Sequence, residues 1–174
     1  MQEMPSDHEG QIAELYGSFY DRIFGYCAKR LFRKDLAEDA AAEVFLLLAE
    51  RYPLLRHRDS TSILYWLYGT ASNVAARYLR DAARRREIAS ALAKSHVASG
   101  KAPEYDRLDW PVLYEAMNRL SDKDQEVLTL RYFEGLETHE IASALGIRHV
   151  TARVRLSRAI RKLRRKVGKA FGEE

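Results

Sequence analysis

Apolar side chains recur at helical spacing along almost the whole chain, and nowhere do they alternate as a strand requires. Leu15, Phe19, Ile23 and Tyr26 form one stripe in a segment over 11–32, with Cys27 beside it as a small core residue. Ala37, Ala41, Val44 and Leu48 mark the buried face of a second helix that starts near Asp35 and ends before Pro53. Ile63 or Leu64, Leu67, Ala71, Val74 and Tyr78 mark a third over 61–86. The pattern then lapses over 87–107, where Ser90, Ser95, Gly100 and Pro103 indicate a linker. It resumes near Asp109 with Leu113, Met117 and Leu120. The fold class expected is therefore all-α: two small helical domains joined by a flexible linker, over 11–86 and 108–170, after a flexible N-terminus over 1–10.

The second domain carries the most specific pattern. Ser121-Asp122-Lys123-Asp124 resembles a capping box and opens a helix expected to run through Glu134 to a stop at Gly135. A short helix over 138–145 follows, with Ile141, Ala142 and Leu145 on one face. Gly146 supplies the positive φ of a sharp helix-ending turn, and Ile147 can plug the angle between two helices. A long helix from near Arg148 repeats Ala152, Leu156, Ile160, Leu163 and Val167. A short helix, a glycine turn and a second helix make a helix-turn-helix, whose second helix enters the major groove.

Charge decides between a DNA reader and a solvated surface. The sequence holds 29 Lys and Arg against 25 Asp and Glu, for a formal net charge of +4. That near balance hides a basic end, because no acidic residue lies between Arg148 and Ala170. A basic run is often only a disordered polycation, or a helix packed on a partner with a wet face. Here Arg155, Arg158, Lys162, Arg165 and Lys169 keep helical phase with the apolar stripe, so the cations form one face able to neutralise phosphates. Arg148, His149, Thr151 and Arg153 sit at the end of the helix that points into the groove.

Other chemistries are excluded by what is missing. His139-Glu140 begins a zinc-protease motif whose second histidine falls at Ser143. No paired nucleophile and base and no phosphate loop occur, so no catalytic residue, metal or cofactor is expected. No run of eighteen apolar residues predicts a membrane span, 1–10 has no apolar core of a signal peptide, and the single cysteine can form no internal disulfide. A cytoplasmic location is expected.

Two motif sets in order then identify a family resemblance. The stretch from Leu120 through Gly135, followed by Glu140-Ile141-Ala142 and Leu145-Gly146-Ile147, resembles domain 4 of extracytoplasmic-function (group IV) sigma factors of RNA polymerase. Leu15-Tyr16, Ala37-Glu38-Asp39, Glu43-Val44-Phe45, Trp66-Leu67-Tyr68, Asn73, Leu79-Arg80 and Arg84-Arg85-Arg86 resemble their domain 2. The resemblance implies a transcription initiation factor that binds core RNA polymerase and promoter DNA. It implies that domain 4 reads the −35 element as duplex and meets the β flap, and that domain 2 docks on the β′ clamp and captures the −10 element. It also implies an anti-sigma partner.

Carried over residue by residue, the resemblance places Asp35, Glu38, Asp39, Glu43 and Phe45 on the clamp. Arg56, His57, Arg58, Ser60 and Thr61 fall in the loop that holds a flipped −10 base. An unstacked base needs a pocket, a stacking surface and backbone charge. Tyr65, Trp66 and Tyr68, with Asn73, Arg77 and Arg80, are candidates for these, against the alternative that the aromatics are core. Arg148, His149, Thr151, Arg153, Arg155 and Arg158 fall on the −35 element. The chain departs from the family pattern at Ala40-Ala41-Ala42, at Ser72, and at Glu137, where Thr138 is expected to cap the helix instead. The alternative reading is a helix-turn-helix regulator that does not itself open promoters.

Overall fold

The computed structural model describes residues 7–92 and 110–170, and no strand occurs among them. Three helices form the N-terminal unit: α1 (Asp7–Leu31), α2 (Lys34–Leu55) and α3 (Ser60–Leu92). Four form the C-terminal unit: α4 (Trp110–Asn118), α5 (Asp122–Leu128), α6 (Thr138–Leu145) and α7 (His149–Ala170). A π-helical turn, Thr129–Phe133, continues α5. Residues 93–107 of the expected linker lie outside the described residues, as do 108–109 of the expected second domain and 1–6 of the expected flexible N-terminus.

The N-terminal core is the one its periodicity predicts. Ile23, Tyr26 and Cys27 of α1 meet Ala37, Ala41, Val44 and Leu48 of α2 and Leu67 and Ala71 of α3, all fully buried. Ala40 is buried with them, whereas Ala42 faces solvent. Three boundaries differ from the sequence expectation. The first helix starts at Asp7, inside the segment expected to be flexible. The second passes through Pro53 to Leu55; Ala49 is exposed, so solvent reaches the carbonyl that Pro53 has no N–H to serve. The third begins at Ser60, fixed by Asp59, which accepts from the Ser62 backbone N–H at 2.9 Å and the Ser62 hydroxyl at 2.7 Å. It then runs to Leu92, past the expected end at 86.

In the C-terminal unit Ser121 caps α5, accepting from the Asp124 backbone N–H at 3.3 Å. The helix expected through Glu134 leaves α geometry after Leu128. The Glu134 N–H reaches back five residues to Thr129 O at 3.1 Å, and the Leu136 N–H reaches Leu130 O at 2.9 Å. Gly135, at φ +72°, ends the turn as its type predicts. Val127, Leu128, Leu130, Ile141, Ala152 and Ala159 build the core of this unit.

The units are packed together. Arg30, 1% exposed, donates to Gln125 Oε1 at 2.9 Å and to the Asp122 carbonyl at 3.3 Å. Lys29 and the Tyr68 hydroxyl converge on Glu134 at 2.9 and 2.7 Å. The Tyr65 hydroxyl donates to Glu140, and that of Ser72 to Glu126. Between these contacts Gly69 lies under the Ala144 carbonyl so closely that a methyl group at 69 would overlap it.

Candidate nucleic-acid interface

The helix-turn-helix is α6, Gly146 and α7. The N-cap of α6 is Glu137, not Thr138; its backbone N–H donates to Glu140 Oε2 at 2.6 Å, so a carboxylate three residues on satisfies the orphan donor. Gly146 is left-handed, at φ +62° and ψ +34°, and the Ile147 N–H closes the turn on Ala142 O at 3.0 Å. Ile147 is half-buried in the angle. The backbone N–H of Ala152 bonds Arg148 O at 3.0 Å, so α7 is regular from its first turn.

That first turn is solvent-facing. Arg148, His149, Thr151 and Arg153 are all exposed, as is Arg158 two turns on. The unpaired N–H groups of a helix start add positive potential there. Two exposed residues belong with them that charge and periodicity did not single out. Val150 is 63% exposed and Val154 39%, one turn apart on the side opposite Ala152 and Leu156. Their signal in the sequence was a pair of apolar residues out of phase with the buried stripe. An apolar group at such a position can meet a thymine methyl.

Not every cation of α7 is free. Arg155 is half-buried, with Nη1 3.7 Å from Glu126 Oε2. Lys162 donates to Asp124 Oδ2 at 2.6 Å. These two hold α7 against α5.

The loop between α2 and α3 presents Arg56, His57 and Arg58 to solvent, and the first turn of α3 presents Ser60 and Thr61, which the resemblance puts in the loop. Arg56 Nε donates to His57 Nε2 at 3.2 Å. Beside the loop an open groove of about 550 Å³ is lined by Arg58, Trp66, Asn73, Arg77, Leu47 and Leu54. Trp66 is half-buried and walls this groove. A second groove, of about 820 Å³, runs between the units. Arg58, Trp66, Asn73 and Arg80 line one side of it, and Lys123, Gly146 and Arg155 the other. Arg77 pairs with Glu43 and lies over the Tyr78 ring, its centre 5.6 Å from the ring centroid.

Tyr68 is no stacking platform: it is fully buried, edge-on to Tyr26, and burial with the Glu134 charge raises its hydroxyl pKa. The hydroxyl of Tyr65 is raised to about 12, first by its bond to Glu140 and then by burial. Burial raises the Cys27 thiol to about 12, so it stays neutral.

The clamp candidates divide. Asp35, Glu38 and Asp39 are exposed at the start of α2, whereas Glu43 is half-buried against Arg77. Phe45 is 6% exposed and packs edge-on to Tyr16, with centroids 4.8 Å apart. Tyr16 and Leu46 are the large apolar side chains exposed in this region.

Two family models match the chain, one in each unit. Residues 15–85 match the family model described as Sigma-70 region 2, and residues 112–163 the one described as Sigma-70, region 4. The ECF RNA polymerase sigma factor SigL of Mycobacterium tuberculosis is 30% identical over 158 residues, 87% of this chain and 88% of that one. The ECF RNA polymerase sigma factor BldN of Streptomyces coelicolor is 28% identical over 159 residues, 88% of this chain. The match spans only 59% of that relative's length. In fold the chain resembles RpoE of Bartonella quintana, solved in complex with the anti-sigma factor NepR. The TM-score is 0.68 at 19% identity, over 90% of this chain and 96% of that one.

Proposed function

We propose that this chain, which belongs to the sigma-70 family and to its extracytoplasmic-function members, binds core RNA polymerase and directs it to promoters. The start of α7 reads the −35 element as duplex. The groove beside α3 takes the −10 element as a single strand. The observation that carries this reading is the presence of two different nucleic-acid faces in one chain. One is an exposed basic helix start, with Arg148, His149, Thr151 and Arg153. The other is a groove with an aromatic wall, an amide and a cation, from Trp66, Asn73 and Arg58. A regulator that only sits on duplex DNA has no use for the second face.

The exposed acids Asp35, Glu38 and Asp39 are the docking face for the β′ clamp, with Tyr16 and Leu46 adding apolar area beside them. Residues 11–86 act as sigma domain 2 and 108–170 as domain 4, which also meets the β flap. The linker over 87–107 spans the polymerase between them. An anti-sigma factor is the expected regulator, as for the relative solved with NepR. Among the described residues no helix is long and apolar enough to cross a membrane, which fits action in the cytoplasm. Run-off transcription with core polymerase and fragmented genomic DNA tests the reading. Discrete start sites that depend on this chain are expected, and their absence would overturn it.

A further inference from the structure

Val150 and Val154 stand one turn apart on the outer side of α7, and both are exposed. The buried stripe of that helix runs through Ala152, Leu156 and Ala159 on the opposite side. Valine is a weaker helix former than alanine, because its branched side chain is restricted against the preceding turn. Two valines at exposed positions therefore cost helix stability and recover little of it through burial. Packing within the chain does not account for them.

Their surroundings point to a ligand. Val150, Thr151 and Val154 line an open groove of about 510 Å³ between α7 and the start of α5. Lys123 of α5 and Arg158 of α7 also line it, and both are exposed. Arg148 and Arg153 are exposed at the start of the same helix. An apolar patch among cations suits a surface that is apolar at its centre and anionic at its edges. The major groove of DNA has that character where it carries thymine. The thymine C5 methyl is an apolar group displayed in the groove, and phosphates flank it on both sides.

We propose that Val150 and Val154 select thymine in the −35 element through its methyl group. The inference rests on the reading of α7 as the duplex-reading helix, and it names a base which that helix prefers. One turn of helix rises about 6 Å over four residues, and base pairs stack about 3.4 Å apart. The pair therefore covers about two base-pair steps, and thymine is expected within one such stretch of the element. The selection needs no hydrogen bond, so it adds to whatever the arginines read beside it.

Deoxyuridine isolates the contact. It pairs as thymidine does and shows the same acceptor edge, but it lacks the methyl group. Promoters are first mapped by run-off transcription with core polymerase and this chain. The −35 thymines of one promoter are then replaced by deoxyuridine in a synthetic duplex that is otherwise unchanged. Competition binding gives the affinity of the reconstituted polymerase for both duplexes, with the wild-type chain and with Val150→Ala, Val154→Ala. Alanine is the better helix former and both positions are exposed, so the variant is expected to keep its fold, which circular dichroism checks. The comparison of the two duplexes on the wild type needs no variant.

Deoxyuridine is expected to weaken wild-type binding about fourfold, the worth of burying one methyl-sized group. The double variant is expected to bind the thymine duplex more weakly than wild type does and to bind both duplexes alike. Mapped −35 elements without thymine overturn the proposal, as does a wild type indifferent to the replacement. An equal loss in wild type and variant also overturns it, and moves the contact to Thr151, whose side chain carries a methyl group beside them. The absence of any start site is a different failure. It counts against the sigma assignment itself, and the choice of thymine falls with it.

Discussion

Asp124 accepts a 2.6 Å hydrogen bond from Lys162 and a 2.7 Å bond from the Ser121 hydroxyl. One carboxylate thus ties the start of α5 to the middle of α7. It is 4% exposed, so the pair is partly removed from water even though Lys162 is not. The lysine belongs by sequence to the basic stripe, yet it serves the packing of the unit that presents that stripe.

This pair makes the C-terminal unit acid-sensitive. Burial pushes the Asp124 carboxyl up, but Lys162 and Ser121 outweigh it and hold the group below the usual carboxylate range. A depressed folded pKa contributes stability that is complete above the unfolded value, about 3.9, and is lost as pH falls through the folded value. Asp124→Asn is therefore expected to lower the urea midpoint at pH 7. Its deficit against wild type should shrink as pH falls below about 4. A deficit that stays constant over that range would show that the charge is not what stabilises.

Gly146 has no neighbour within 4 Å of where a Cβ would stand, so a substitution there is resisted by backbone conformation alone. Gly146→Ala is expected to cost about 1–2 kcal/mol, and Gly146→Asn less, because asparagine tolerates the left-handed region. Denaturant unfolding checks the order. Equal losses would place the cost elsewhere.

Arg153 and Arg155 are two positions apart and face different surroundings. Arg153 is exposed, whereas Arg155 is half-buried beside Glu126. Arg153→Ala is expected to weaken −35 duplex binding by about 1–3 kcal/mol and to relax specificity at one base pair. Arg155→Ala is expected to lower thermal stability and to leave base preference unchanged. Anisotropy titrations against a panel of single-base variants decide. A uniform loss for Arg153→Ala across the panel would assign that side chain to phosphate.

Asp39 is exposed on α2, well away from the helix-turn-helix in sequence. Asp39→Arg is expected to abolish capture by core polymerase while the C-terminal unit still binds −35 duplex. Retained core affinity would remove the acidic start of α2 from the docking face.

Much of this was legible in the sequence because helices report themselves through period. The span of α6 and the role of Gly146 follow from three apolar positions and one glycine, and the buried face of α2 follows from the spacing of Ala37, Ala41, Val44 and Leu48. Tyr68 and Arg30 were not legible in the same way. Periodicity says that a face is covered, and cannot say by what. Here the cover comes from Gln125, 95 positions from Arg30, and from Glu134, 66 positions from Tyr68. The contact between units was hidden for a second reason. Gly69, Ser72 and the Glu126, Glu134 and Glu140 carboxylates carry no apolar rhythm, so their sequence reads as ordinary surface. The π turn escaped because Thr129 to Phe133 have the composition of an α-helix, and only the backbone bond from Glu134 to Thr129 reveals the extra residue.

The make-up of that shared face also bears on solubility. Its rings, Tyr65 and Tyr68, each end in a hydroxyl, its ion pairs are ready to hydrate, and its closest approach is between a glycine and a carbonyl. Buried apolar residues of both units nevertheless join one continuous cluster, so parting the units would uncover apolar as well as polar surface.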